Sequence, residues 1–273
     1  MRRLPLVLTA CLAGFLLSAC ANRPEEQSAA ARLAFAPESR PELIQFSALG
    51  RGLAGRTIRV SEPRDLILAQ NEVVLTFDDG PMPGKTPAIL RALDAHGVKA
   101  TFLMVGQIAR SHPGLVREVA ARGHTIGNHT EDHANLATIS FDSAVQRIER
   151  GRASIAAALV PTGFSVAPFF RFPYLADTSS LRRHLALQGV IVIDPTVDSK
   201  DYFVSSPEQV RSRTISMLRQ KGSGIVLLHD IHRRTVDMLP ALLDELKANG
   251  FRVVHLVPAS RGGQSVLSAA LTR

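Results

Sequence analysis

Cysteine is scarce: Cys11 and Cys20 are the only two in 273 residues, and two thiols cannot build a disulfide framework. Long apolar runs are missing as well. The most apolar stretch, residues 4–17, holds about fourteen residues, short of the ~20 that a membrane-spanning helix needs. Aromatic residues make up 5%, and no dense Lys/Arg block interleaves with them, so no nucleic-acid site is marked and no nucleic-acid partner is expected. The formal charge of +8 is scattered, which reads as solvated side chains with a mild pull towards anionic polymers. No internal repeat stands out. What remains is 45% hydrophobic and 21% charged, an ordinary globular composition that excludes a disordered, collagen-like or polytopic membrane chain. The length allows one large or two small domains.

The N-terminus reads as a targeting segment. Arg2 and Arg3 precede the apolar run, which closes in Leu17-Ser18-Ala19-Cys20, small residues followed by cysteine. This resembles a bacterial lipoprotein signal. The resemblance implies removal of residues 1–19, lipidation of Cys20, and a chain tethered to a membrane of the cell envelope and facing the periplasm or exterior. A plain secretory peptide cleaved near Ala19 and an uncleaved anchor are the alternatives. Residues 20–42, rich in Ala, Pro, Glu, Arg and Ser with little periodicity, suit a flexible tether. Residues 43–72 form a lead-in segment packed on the domain after it, with short strands at 57–60 and 66–68 that lead in or cover a barrel bottom.

From residue 73 short apolar runs alternate with amphipathic helices, the pattern of a parallel sheet covered by helices. Seven strands are expected, at 73–77, 99–105, 124–127, 168–171, 190–193, 224–228 and 251–256. Thr86-Pro87 reads as an N-cap and first-turn proline before a helix over 88–96, closed by Gly97. Ser206-Pro207-Glu208-Gln209 reads as a capping box for a helix ending near Gly222, and Ser140 as the cap of a long helix over 141–159. Two more helices run into Gly123 and Gly250. Pro240 predicts a helix that starts near Leu239 or is kinked there.

The chemistry collects at the ends of these strands. Asp78 and Asp79, in TFDDGP, put two carboxylates at a strand-to-loop transition, where one could hold a metal and the other take a proton, or both could serve a turn. His129 and His133, in HTEDH, have a spacing that puts both imidazoles on one face of a helical turn, and two histidines with one carboxylate are a ligand set for catalytic zinc. Asp79 is the candidate third ligand. Arg171 closes a strand and needs a carboxylate partner if buried. Asp194, Asp198 and Asp201 cluster in DPTVDSKDY, and His229 ends another strand. Singly each is more often structural; together they all fall at the C-terminal ends of predicted parallel strands, where a βα barrel carries its active site.

At these residues the sequence resembles the polysaccharide deacetylases that share the NodB-like homology domain, carbohydrate esterase family 4, over residues 73–256. The stretch from TFDDG through HPGLVREVAARGHTIGNHTEDH carries most of it. The resemblance implies an α/β fold, a deformed (β/α)7 barrel in a single catalytic domain over 73–273. It also implies metal-dependent hydrolysis of N-acetyl groups on GlcNAc-containing glycans. By it Asp79, His129 and His133 hold a divalent ion, zinc with cobalt, nickel or manganese as alternatives. Asp78 is the catalytic base, Arg171 its partner, and Tyr174 supplies a backbone N–H to the oxyanion. Asp201 orients His229, the general acid, although Asp198 stands three residues earlier on the same loop. Leu227 lines the acetyl-methyl pocket, and Tyr174 and Tyr202 border the glycan. The sequence departs from the pattern at Ala134, where proline usually follows the second histidine, at Tyr202, usually tryptophan, and at Leu175, usually glycine. These put substrate preference in question more than the chemistry. An O-acetyl esterase would use the same residues, and a non-catalytic carbohydrate-binding lipoprotein would be expected to have lost one. The particular glycan and the oligomeric state stay open.

Overall fold

Nine strands and seven helices come after residue 52 in the computed structural model, which describes residues 52–259. The strands are β1 (Ala54–Val60), β2 (Glu72–Asp78), β3 (Thr101–Met104), β4 (Thr125–Asn128), β5 (Phe169–Phe170), β6 (Ile191–Val192), β7 (Val197–Asp198), β8 (Gly224–His229) and β9 (Arg252–Pro258). The helices are α1 (Thr86–Ala95), α2 (Gly106–Ser111), α3 (Pro113–Ala121), α4 (Phe141–Leu159), α5 (Ser179–Leu187), α6 (Pro207–Lys221) and α7 (Arg233–Ala248). Lipidation of Cys20, the tether and residues 260–273 lie outside the described residues.

All strand pairs are parallel. Val73 pairs with Gly224 of β8 and Val253 of β9, and Thr76 with Leu227 of β8 and Thr101 of β3. Strands β9 and β3 therefore share one edge of β2, β9 at its foot and β3 at its upper end, while β8 takes the other edge. The ring runs β7-β8-β2-β3-β4-β5-β6 and is not hydrogen-bonded shut between β6 and β7.

Both faces of β2 are buried, so its sequence is almost continuously apolar, yet alternate residues go to different cores. Val73, Leu75 and Phe77 face the helices and join Leu90 and Leu93 of α1, Leu218 of α6 and Leu242 of α7. Val74 turns inward to Leu103, Phe169, Ile191 and Ile225, where it meets Ile58 of β1 and Leu256 of β9. The foot of the barrel is thus plugged by β1 and β9, and the Thr125 hydroxyl donates to the Leu256 carbonyl across it. The same inward phase continues up β2 to Thr76 and Asp78, which puts a carboxylate at the top of the barrel axis.

Four expectations change. The strand at 252–258 is not a ring member but part of the plug, and the seventh ring strand is β7, two residues inside a polar loop with no apolar run to announce it. No strand forms at 66–68, although Leu66 and Leu68 pack on the inner cluster. Thr86 is the first residue of α1, not its cap; its hydroxyl accepts from the Met82 N–H and donates to Asp230. Helix α7 runs unbroken through Pro240, which lies on the exposed side while Leu239, Leu242, Leu243 and Leu246 anchor the helix inward. The Ser206–Gln209 capping box and the Ser140 cap form as expected.

If the plug and the ring share one core, Leu256→Ala should cost about 2–5 kcal/mol, because Leu256 is fully buried in the inner cluster. Urea unfolding should show a lower midpoint in a single transition. A separate early transition, or a loss of less than about 1 kcal/mol, would contradict a common core.

Candidate active site

The two neighbouring carboxylates point to different partners. Asp78 is the last residue of β2, keeps the inward phase, and is 1% exposed. Its Oδ1 accepts from Nη1 of Arg171 at 2.8 Å. Asp79 has left the strand with φ 76, and its Oδ1 lies 3.5 Å from Nε2 of His129 and 3.3 Å from Nε2 of His133.

The histidines come together through a loop and not on a helical turn. His129 follows β4 directly, and Thr130 (φ 71) and His133 (φ 54) bend the chain back on itself. The His133 N–H donates to the Thr130 hydroxyl at 3.0 Å. Two glycines let helices close over this loop. A Cβ on Gly151 of α4 would lie 2.4 Å from the Thr130 backbone, and one on Gly106 would lie 2.2 Å from Glu131. Glu131, hardly exposed, is held by Arg110 and by the Ser154 hydroxyl.

Asp79, His129 and His133 are the one group of three or more such side chains, among the described residues, whose ligand atoms lie within 4.8 Å of one another. The set fits a divalent cation. Asp79 Oδ1 is buried and accepts no hydrogen bond. Nδ1 of His129 lies 2.8 Å from the Arg171 carbonyl, so it carries the proton and leaves the Nε2 lone pair facing Asp79. Burial pushes the His129 pKa down in spite of Asp78 and Asp79, which keeps the ring in the neutral, ligating form.

Arg171 is fully buried and ties together the upper ends of β2, β4 and β6. Nη1 donates to Thr76 as well as Asp78, Nε donates to the Ile193 carbonyl, its own carbonyl takes His129, and its N–H donates to the Asn128 carbonyl. Thr76, inward on β2, passes the chain on to the Val226 carbonyl at 2.6 Å.

His229 ends β8 opposite Asp78 in the sheet register. Nδ1 of its ring meets Asp201 Oδ1 at 2.7 Å, while Asp201 Oδ2 accepts from the His229 N–H and the Thr235 hydroxyl. Asp198 is the wrong partner: its Oδ2 accepts from the Tyr202 hydroxyl and its Oδ1 from the Lys200 N–H. Asp194 pairs with Arg182 at the surface. Burial lowers the His229 pKa, but the Asp201 hydrogen bond and charge outweigh it, with Asp78 and Asp79 adding to them, and lift it to about 9.

A cavity of about 340 Å³ joins these groups, lined by Asp78, Asp79, His129, His133, Leu227 and His229, with Phe172, Tyr174, Leu175 and Tyr202 at its sides. Tyr174 takes a left-handed backbone (φ 59) and sets its ring edge-on to His133 at 4.7 Å. Tyr202 does the same to His229 at 5.5 Å. A larger groove of about 670 Å³, bordered by Val145, Arg152, His184 and Pro258, shares none of these lining residues.

Comparison with known proteins shows the family. Residues 67–193 match the polysaccharide deacetylase family. Over 214 residues the chain is 34% identical to a chitin deacetylase of Colletotrichum lindemuthianum, covering 74% of this chain and 84% of that protein. The chain belongs to the polysaccharide deacetylase family. It is 31% identical over 184 residues to the peptidoglycan-N-acetylglucosamine deacetylase PgdA of Listeria monocytogenes, covering 67% of this chain but 38% of PgdA. Among solved structures the Bdellovibrio bacteriovorus peptidoglycan deacetylase Bd3279 superposes with a TM-score of 0.64 at 36% identity, covering 77% of this chain and 58% of that one. This polysaccharide deacetylase thus spans less than two thirds of each of the latter two proteins.

The stretch matched by the family ends before Asp201, Leu227 and His229; the barrel brings Leu227 and His229 back to the same cavity, with Asp201 bonded to His229. Sequence reasoning missed Thr76, Thr235, Phe172 and Glu131. Thr76 had a visible signal, a polar residue in the inward phase of an apolar strand two positions before Asp78. Thr235 had none, because it reaches Asp201 only through the packing of α7.

The Asp201–His229 pair of the deacetylase makes a spectroscopic prediction. In metal-free protein the His229 ring should titrate near pH 9 by NMR, and remain protonated below it. In Asp201→Asn the midpoint should fall towards the ordinary histidine value of about 6.5, because burial is then opposed only by the charges of Asp78 and Asp79. A midpoint unmoved by the substitution would show that Asp201 does not hold the charge.

Proposed function

We propose that this chain is a metal-dependent hydrolase that removes N-acetyl groups from GlcNAc-containing glycans and releases acetate. The observation that carries the reading is the division of the Asp78–Asp79 pair, one carboxylate on a buried arginine and the next on two histidines, across one cavity from a histidine paired with the buried Asp201. Names of the relatives support the substrate class, and the barrel they share supports the architecture.

An amide carbonyl resists water, so the site must supply a nucleophile, hold an oxyanion and protonate an amine. A divalent ion on Asp79, His129 and His133, with zinc the proposed metal, supplies Lewis acidity and a water of lowered pKa. Asp78 takes the proton of the attacking water at Oδ2, since Oδ1 is engaged by Arg171. Arg171 fixes that carboxylate and is the positioning residue for the base. The Tyr174 N–H stabilises the oxyanion, and Leu227 forms the apolar wall for the acetyl methyl. His229 donates from Nε2 to the leaving amine, because Nδ1 is committed to Asp201. Tyr174 and Tyr202 border the glycan. The raised pKa of His229 keeps a proton available for an amine leaving group, which departs only when protonated.

Acetate release from GlcNAc oligomers and from peptidoglycan should stop with chelator and return with added divalent metal. Asp78→Asn should retain stoichiometric metal and lose at least about 100-fold in kcat, whereas Asp79→Asn should lose metal first. His229→Ala should retain metal and hurt amides more than acetyl esters. The reverse metal pattern in the two aspartate variants would overturn the assignment. A wild-type preference for acetyl esters over every acetamide would favour an O-acetyl esterase.

The N-terminal segment supports a second element of the proposal, acylation of Cys20 and attachment to a membrane of the cell envelope. Mass spectrometry of protein from its native host should find a lipidated Cys20 peptide, and Cys20→Ser should release or misprocess the protein. An unmodified N-terminus elsewhere would refute the anchor.

A further inference from the structure

After β5 the chain turns through two successive residues in the left-handed region, Tyr174 (φ 59) and Leu175 (φ 53). That conformation crowds any Cβ and favours glycine. For Tyr174 the fold shows a use, the edge contact with His133. Leu175 has no comparable use within the fold. It is in none of the three buried clusters and is 44% exposed. The turn itself is held by backbone bonds that glycine would make equally, from the Leu175 N–H to the Phe172 carbonyl at 3.0 Å and from the Ala176 N–H to the Pro173 carbonyl at 3.1 Å.

What Leu175 does have is a place in the wall of the active cavity, beside Tyr174 and in company with Asp79, His133 and Leu227. Backbone strain that core packing does not offset concentrates where a side chain meets a ligand. The surroundings say which part of the ligand. The ring of Tyr174 is turned against His133 and that of Tyr202 against His229, with its hydroxyl on Asp198. Leu175 adds aliphatic surface at the mouth. A pyranose presents hydroxyls at its rim and C–H groups on its faces, so an aliphatic side chain there complements a ring face and not the acetyl group, which belongs deeper at Leu227.

We propose that Leu175 is a specificity-determining residue that packs on the C–H face of the amino-sugar ring carrying the scissile acetamide, the contact for which a non-glycine residue is kept in a left-handed turn. The inference rests on the deacetylase reading and adds to it the residue that recognises the sugar ring.

The test uses the metal-loaded full chain with the GlcNAc tetramer as substrate, comparing Leu175→Gly, Leu175→Ala and Leu175→Met. Removing the side chain in the glycine and alanine variants should raise KM for the tetramer about tenfold, the size expected for a partly buried aliphatic contact. Metal content should be unchanged and kcat affected far less, since the contact is equal in ground and transition states. Leu175→Met, which keeps an aliphatic surface, should return KM to within about twofold of wild type. The glycine variant should melt higher than the alanine variant, since it alone relieves the strain. An unchanged KM in Leu175→Gly, or a loss confined to kcat or to bound metal, would overturn the contact while leaving the deacetylase reading intact. Absence of acetate release by the wild-type protein would overturn that reading, and the contact with it.

Discussion

Everything at the top of the barrel depends on one buried cation. Arg171 has no exposed surface, and its guanidinium reaches Asp78, Thr76 and the Ile193 carbonyl while its main chain engages His129 and Asn128. A charge withdrawn from water to this degree is tolerable only with a partnered anion and further hydrogen bonds, and loss of either member of such a pair costs about 3–5 kcal/mol. The requirement works in both directions. Asp78 is fixed in place because Arg171 is there, and His129 must present Nε2 because the Arg171 carbonyl holds Nδ1. One residue thereby sets the position of the proposed base and the orientation of a proposed ligand.

The rest of the site depends on how strand phase changes at a strand end. Along β2 the inward phase ends at Asp78, and a single left-handed residue sends Asp79 to the histidine side. Adjacent carboxylates would otherwise lie on opposite faces of the sheet or repel each other at one point. Across the cavity His229 is treated in the opposite way to His129. Both are buried, but one keeps its ring neutral under burial and the other is charged by the fully buried Asp201. Two histidines in one pocket are thus suited to supply a lone pair and a proton respectively, a difference to which the partner of Nδ1, a carbonyl for one and a carboxylate for the other, contributes most directly.

Much of this was legible in the sequence, for identifiable reasons. Strands β2, β3 and β8 are covered on both faces and so are nearly continuous apolar runs, and the polar residues that interrupt them at their ends are the chemistry. The strand β7 was illegible because its two residues are held by pairing with β8 and carry no pattern of their own. Conversely 252–258 has the composition of a ring strand, yet it closes the foot, since strand propensity reports burial and not which edge a strand joins. The loop 129–133 kept the spacing of a helical turn without its conformation; Thr130 and His133 take positive φ because helices α2 and α4 approach the loop through glycine and dictate its path. The choice between Asp198 and Asp201 could not be read from spacing, because it turns on the left-handed Lys200 between them. Leu175 was visible only as a departure from a family pattern, and its backbone angle is what gives that departure a physical meaning.

The central claim is that neighbouring carboxylates divide into ligand and base. Anomalous diffraction from crystals of the metal-loaded protein tests it most directly. The account predicts a single peak at about 2.0–2.2 Å from a carboxylate oxygen of Asp79 and from Nε2 of His129 and His133, with Asp78 still on Arg171 and outside the coordination sphere. A peak bound by Asp78, or one displaced from the Asp79, His129 and His133 group, would contradict it.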